Sequence, residues 1–200
     1  MRTSLASLIL AAAGLGLSAP QALPQAASQA SSASPTLEEV RAALDKYQDP
    51  ILAIHDGYFS TLACVQFPAA GGAGQVPYKA GGMGVHFLNV RLMGPKLDPL
   101  HPQVLLYEPS GGSLRLVAAE WFVPLSTGVT AAPQLFGQPF DGPMEGHHPL
   151  MPEMMHHYDL HVWLWKPNPA GMFSPTNPSV KCPKAEYTLA EKAPRLVPAQ

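Results

Sequence analysis

Charge is what this chain has least of. Lys, Arg, Asp and Glu make up 13% of it, about half the share of an average soluble domain, and basic residues form no run anywhere. With a net charge of −2, neither a nucleic-acid backbone nor an anionic membrane surface is suggested as a partner. Apolar runs of membrane length are missing, so the mature chain is expected to have no span. Several catalytic signatures are absent as well: GxGxxG, the Walker loop, HExxH and GxSxG. No reaction is signposted and no catalytic residue stands out.

Cysteine is scarce too, with only Cys64 and Cys182. Neither has a CxxC-like neighbour, which argues against a zinc pair or a redox thiol, and an even count far apart in sequence predicts one structural disulfide. The N-terminus agrees with an oxidising destination. "MRTSLASLILAAAGLGLSAPQA" has one Arg, a short apolar run and then small residues. That is the layout of a secretory signal peptide over residues 1–22, and it predicts a secreted or periplasmic protein.

What the chain has in excess is proline, 23 residues, alongside 17 glycines. So much Pro with so little charge excludes a helix bundle and reads as short strands joined by rigid turns. Residues 23–35, rich in Ala, Ser and Gln, read as a disordered linker. A single domain is expected over 36–183, and residues 184–200 as a poorly ordered tail. Thr36 and Glu39 have capping-box spacing, and Leu37, Val40, Leu44 and Tyr47 follow at helical spacing. Ile51, Ile54 and Tyr58 continue that stripe, with a kink or restart at Pro50. "GMGVHFLNV" and "HYDLHVWLW" read as strands, and "QVLLYEP–SGG–SLRLVAAEWFVP" as a hairpin. Residues 125–156 form a long loop. The expected class is α+β: an N-terminal helix packed on a small antiparallel β-sheet or barrel, with long Pro/Gly-rich loops.

Histidine is concentrated. Residues 141–165 hold five of the eight histidines and four of the eight methionines. On a strand, His157, Asp159, His161, Trp163 and Trp165 share one face, while Tyr158, Leu160, Val162 and Leu164 form the other. His157 and His161 would then lie about 13 Å apart, too far to share an ion. Glu120 is centred in a strand that is apolar on both faces, sharing one with Leu114, Leu116, Ala118 and Phe122. A buried carboxylate there must be neutralised, paired or bound to a cation. His86 likewise sits on an apolar strand face.

His86, Glu120 and His161 therefore form a constellation of one inward polar group on each of three strands. Two imidazoles and a carboxylate suit Zn or non-haem Fe. The same groups could equally form a hydrogen-bond network without metal. His157, Asp159, His147 and His148 are supporting or alternative ligands. His147, His148 and His156 with Met151, Met154 and Met155 would suit Cu, or else a solvated loop whose methionines cover apolar surface. Asp56 and Asp141 fit ordinary Asp-Gly turns as well as acid–base roles.

The segments "GMGVHFLN", "LLYEP", "LRLVAAEWFVP", "LFGQPFDGPM", "YDLHVWLWKPNPAGMF" and "NPSVKC" together resemble a family of uncharacterised secreted bacterial proteins. The likeness spans roughly residues 36–182. It implies bacterial export and a single domain, and supplies no catalytic residues. Two functions are carried forward. One is a metal-binding pocket for Zn, Fe or Cu. The other is a non-enzymatic domain binding a small molecule between Trp163, Trp165, Trp121 and Tyr107, with the His and Glu groups as a structural network.

Overall fold

The computed structural model describes residues 34–147 and 151–199. The expected signal peptide, the linker up to residue 33, and His148 lie outside them. Helix α1, Leu37–Leu44, begins where the capping box predicts. The Glu39 amide donates to Thr36 Oγ1 at 3.2 Å, and the Thr36 amide donates to Glu39 Oε2 at 2.7 Å, so two amides with no partner in the helix are satisfied. A turn of 3-10 helix follows at Asp45–Gln48, and the chain restarts as α2, Pro50–His55. Asp49 caps α2 by accepting from the Ile51 amide at 2.9 Å, and Pro50 occupies a first-turn position where no N–H is needed. The restart changes which side faces inward. Val40, Leu44 and Tyr47 are buried, each worth about 1.5–3 kcal/mol. Ile51 and Ile54, expected on the same stripe, are 66% and 52% exposed, and Ala53 packs inward instead.

Among the described residues nine strands follow: β1 Phe59–Phe67, β2 Gly81–Leu88, β3 Val104–Ser110, β4 Ser113–Pro124, β5 Gln134–Leu135, β6 Gln138–Pro139, β7 Asp141–Met144, β8 His157–Val162 and β9 Thr188–Ala190. β5 and β6 make a small ribbon. The other seven form one sheet in the order β7-β8-β4-β3-β2-β1-β9, antiparallel except for the β1–β9 pair. The expected α+β class is overturned by this arrangement. The protein is mostly β, a curled seven-stranded mixed sheet with only 15% helix.

The physical reason lies in the strands whose pattern is weakest. β1 carries two register shifts and has Leu62 at φ 60°, so no clean two-residue period survives in its sequence. β7 and β9, four and three residues long, are too short to show one. The β3–β4 hairpin, by contrast, forms as read. Ser110 pairs with Ser113 around Gly111 and Gly112, both at positive φ, the combination a tight two-residue turn requires.

Both faces of the sheet are covered. One packs on the helices through Val85, Phe87, Leu105, Tyr107, Trp121, Leu160 and Val162. The other buries Met83, Leu106, Ala118, Met144 and Trp163 against Phe67, Tyr78, Val180 and Ala193. A bulge in β4 opposite Leu106 and Tyr107 turns Leu116 to the helical face while Ala118 stays on the second, so the single face expected for Leu116, Ala118 and Glu120 is broken there.

Residues past 183, where the sequence offered little to hold the chain, are tied in by backbone pairing. β9 lies along β1, the Val76 amide donates to Pro194 O at 2.9 Å, and the Glu145 amide donates to Arg195 O at 3.0 Å. Cys64 and Cys182 are joined as a disulfide, S–S 2.10 Å. It closes a loop of 118 residues, for which the chain-entropy model gives about 4–5 kcal/mol of stabilisation.

Candidate metal centre

The second face of the sheet carries the polar groups. Strand alternation places His86 on β2 beside Val85 and Phe87 of the helical face, so its own side chain points the other way. Glu120 on β4 stands directly opposite His161 on β8. His157 and Asp159 precede His161 at two-residue steps on the same face. All five are buried, from 1% exposure for His157, Asp159 and His161 to 8% for His86.

Glu120 Oε2 lies 3.5 Å from His161 Nε2 and 4.0 Å from His86 Nε2. One ligand atom from each of His86, Glu120 and His161 falls within 4.8 Å of the others. A second group meets the same condition: His147, His157 and Asp159. In that group His157 Nε2 is 3.5 Å from Asp159 Oδ2, and the other carboxylate oxygen, Oδ1, is 3.7 Å from His161 Nδ1. His157 and His161 thus fall in different groups, as the rise of a strand requires.

These distances are too long for hydrogen bonds between charged or neutral partners, which run about 2.7–3.2 Å. The shortest of them, 3.5 Å, is near a tetrahedral edge, and 3.7 and 4.0 Å are longer than one. Ligands about 2.05 Å from a zinc ion stand about 3.3 Å apart, against about 3.0 Å for adjacent octahedral positions. The hydrogen-bond inventory points the same way. Nine of the ten buried side-chain N and O atoms without a partner among the described residues belong to Thr61, His86, Glu120, His147, His157, Asp159 and His161. Protein interiors rarely leave such atoms unpaired, at roughly 1–3 kcal/mol each, so concentration in one place marks a site.

The aromatic groups behave differently. Trp121 Nε1 donates to Asp98 O, Trp163 Nε1 to Ser174 O, Trp165 Nε1 to Asp45 Oδ1 and Tyr107 OH to Tyr47 O, all between 2.6 and 2.9 Å. They are also divided: Tyr107, Trp121 and Trp165 pack on the helical face and Trp163 on the other. No shared aromatic pocket is formed.

A cavity of about 40 Å³ lies between Thr61, Met83, His86, Met93, Glu120, His147, Met151, His157 and His161. Such a volume admits an ion with a solvent molecule, and it is far below the 300–1,000 Å³ of organic-ligand pockets. A groove of about 960 Å³ near the β3–β4 turn is large enough, but its only carboxylate is Asp49, already engaged in capping α2.

Electrostatics prepare the donors. Burial pushes His86 and His147 down to about 3 and lowers His161 as well, leaving neutral imidazoles with a lone pair to give. Glu120 is raised well above the usual carboxylate range, first by burial and then by Asp159. For Asp159, burial opposes ionisation, but His161, His157 and His147 around it draw its carboxyl down. Asp141, opposite Asp159 across β7–β8, is pushed to about 7 by burial and by that neighbour. This environment was not legible in "FDGP", which reads as a turn. Asp56 has a plain structural role, its carboxylate held low by Lys46, His55 and Tyr47 at the helix end.

Of the loop groups, His147 and Met151 reach the cavity, whereas Met154 is 85% exposed and Met155 38%. No protein-family model matches this chain, and neither a curated protein nor a solved structure does so.

Proposed function

We propose that this chain is an exported metal-binding domain that holds a first-row transition ion between His86, Glu120 and His161. The observation that carries the reading is the convergence of His86 Nε2 and of the buried, unpartnered Glu120 Oε2 and His161 Nε2, 3.5–4.0 Å from the shared carboxylate oxygen, on a cavity too small for an organic ligand. Three protein donors leave one tetrahedral position for a solvent molecule. The donor set of two imidazoles and a carboxylate favours Zn(II). Copper is the second choice, favoured by Met83, Met93 and Met151 in the cavity wall. Export is supported by the leader-like "LASLILAAAGLGLSAPQA" and by a disulfide, which persists in oxidising compartments.

Metal analysis of the untagged protein after equilibration with Zn(II) and dialysis tests the reading. At least one ion per chain is expected, and His86→Ala should bind at least tenfold more weakly. A wild-type chain that retains only substoichiometric Zn(II) and copper refutes it.

A further inference from the structure

Glu120 and His161 face one ion, yet four of the ten unpartnered atoms belong to His147, His157 and Asp159. His157 Nδ1 is 3.0 Å from Met155 O. A carbonyl only accepts, so Nδ1 carries the proton and Nε2 of a neutral ring keeps its lone pair. That lone pair points toward Asp159 Oδ2 at 3.5 Å, and neither atom has a partner among the described residues. With a neutral ring two acceptors face each other in a dry interior, an arrangement that repels unless a metal ion or a proton lies between them. His147 Nε2 is buried and unpartnered, and a ring nitrogen of His147 lies within 4.8 Å of a ligand atom of each of His157 and Asp159. The rings are held in place by aromatic contacts. Phe122 stacks on His157 at 4.4 Å, and Phe67 and Tyr78 meet the His147 ring edge-on at 6.4 and 6.1 Å.

We propose that His147, His157 and Asp159 form a second metal site, so that the protein holds two transition ions, an inner one and an outer one. This rests on the reading of His86, Glu120 and His161 as the inner site. Asp159 lies between the two: Oδ2 faces the outer site, while Oδ1 lies 3.7 Å from Nδ1 of His161, whose Nε2 faces Glu120. The order from solvent follows from His147. It lines the inner cavity and also a surface cleft of about 580 Å³ that carries Glu145, Glu153 and Glu191. His86, Glu120 and His161 line only the cavity. An ion arriving through the cleft therefore meets His147 first, and an ion leaving the inner site by the cleft passes the outer one.

The test is a Zn(II) titration of chelator-stripped, untagged protein, followed by elemental analysis and by the rate at which EDTA removes the metal. Wild type should take two ions per chain and release them in two phases at least tenfold apart in rate. His147→Gln should keep one ion, lost in the slow phase only; His86→Gln should keep one, lost in the fast phase. A wild-type count of one overturns the second site while leaving the inner one standing, and a count of zero overturns both. Two ions retained by a folded His147→Gln also overturns it. If His147→Gln does not fold, the wild-type count and release decide alone, and release of two ions in a single phase overturns the inner–outer order.

Discussion

Glu120 shows how a single residue can be unfavourable for the metal-free fold and necessary for its chemistry. Burial raises its pKa well above the ordinary value of 4.5. The native state therefore holds the proton more tightly than the unfolded chain, and stability falls as pH rises from about 4.5 toward the folded pKa. Glu120→Gln keeps the shape and removes that titration. In EDTA, the variant should melt at or above the wild-type temperature at neutral pH, with a flatter pH dependence. Zn(II) at about 100 times its dissociation constant should add about 2.7 kcal/mol to the wild type and much less to the variant. Thermal melts with and without Zn(II) measure both effects. A variant markedly less stable than wild type in EDTA would place a charged Glu120 in a structural pair and refute the argument.

At the scale of elements, the site depends on a short arm rather than on the sheet alone. His147 follows β7, and its neighbour Gly146 comes so close to the chain opposite that an added Cβ would stand 2.0 Å from Pro152 O. The Gly146 amide donates to Glu153 O at 3.0 Å. The arm is held from below by the C-terminal segment, where Arg195 donates to Glu145 Oε2 at 2.8 Å and the Val197 amide donates to Pro143 O at 2.9 Å. Gly146→Ala must displace one side of this contact. We expect outer-site affinity to fall at least tenfold, inner-site affinity to stay within about threefold, and stability to drop by about 1–3 kcal/mol. Calorimetric titration with Zn(II) separates the two sites. Equal loss at both would show that the arm supports the whole cavity.

Across the whole molecule buried acids and buried histidines act on the pH response in opposite senses. Asp141 and Glu191 are both pushed to about 7, Asp141 by burial and Asp159, Glu191 by burial alone. Each is raised in the native state, so each makes the metal-free protein less stable as pH rises from about 4 to about 7. Their combined effect is roughly 1–3 kcal/mol once solvent screening is allowed for. Asp56 and Asp159 are depressed instead, and their contribution is lost below about pH 4 as they protonate. In EDTA, Glu191→Gln should therefore shift the denaturation midpoint upward more at about pH 8 than at about pH 5, against the opposite contribution of the buried neutral imidazoles of His86, His147 and His161, which stabilise the fold as pH rises past their unfolded value. A Glu191→Gln midpoint that keeps the wild-type pH dependence would contradict the burial of that carboxyl.

The three donors proposed for the inner ion could be read in sequence because one physical rule covers them. A charged or polar side chain at an apolar position of a strand must find a partner, and His86, Glu120 and His161 are such residues on β2, β4 and β8. The same local rules located α1, the β3–β4 hairpin and the pairing of Cys64 with Cys182. They could not reveal β1, whose period is broken by bulges, or β9, which exists only because β1 offers it an edge. The fold class was therefore misread as α+β. Nor could they group His147 with His157 and Asp159. That grouping depends on Arg195 and Val197 holding the arm, contacts between residues some fifty positions apart. Alternation and capping are decided by neighbours a few residues away, so a sequence shows them. The outer site, and the order in which ions would meet the two, are decided by long-range packing alone.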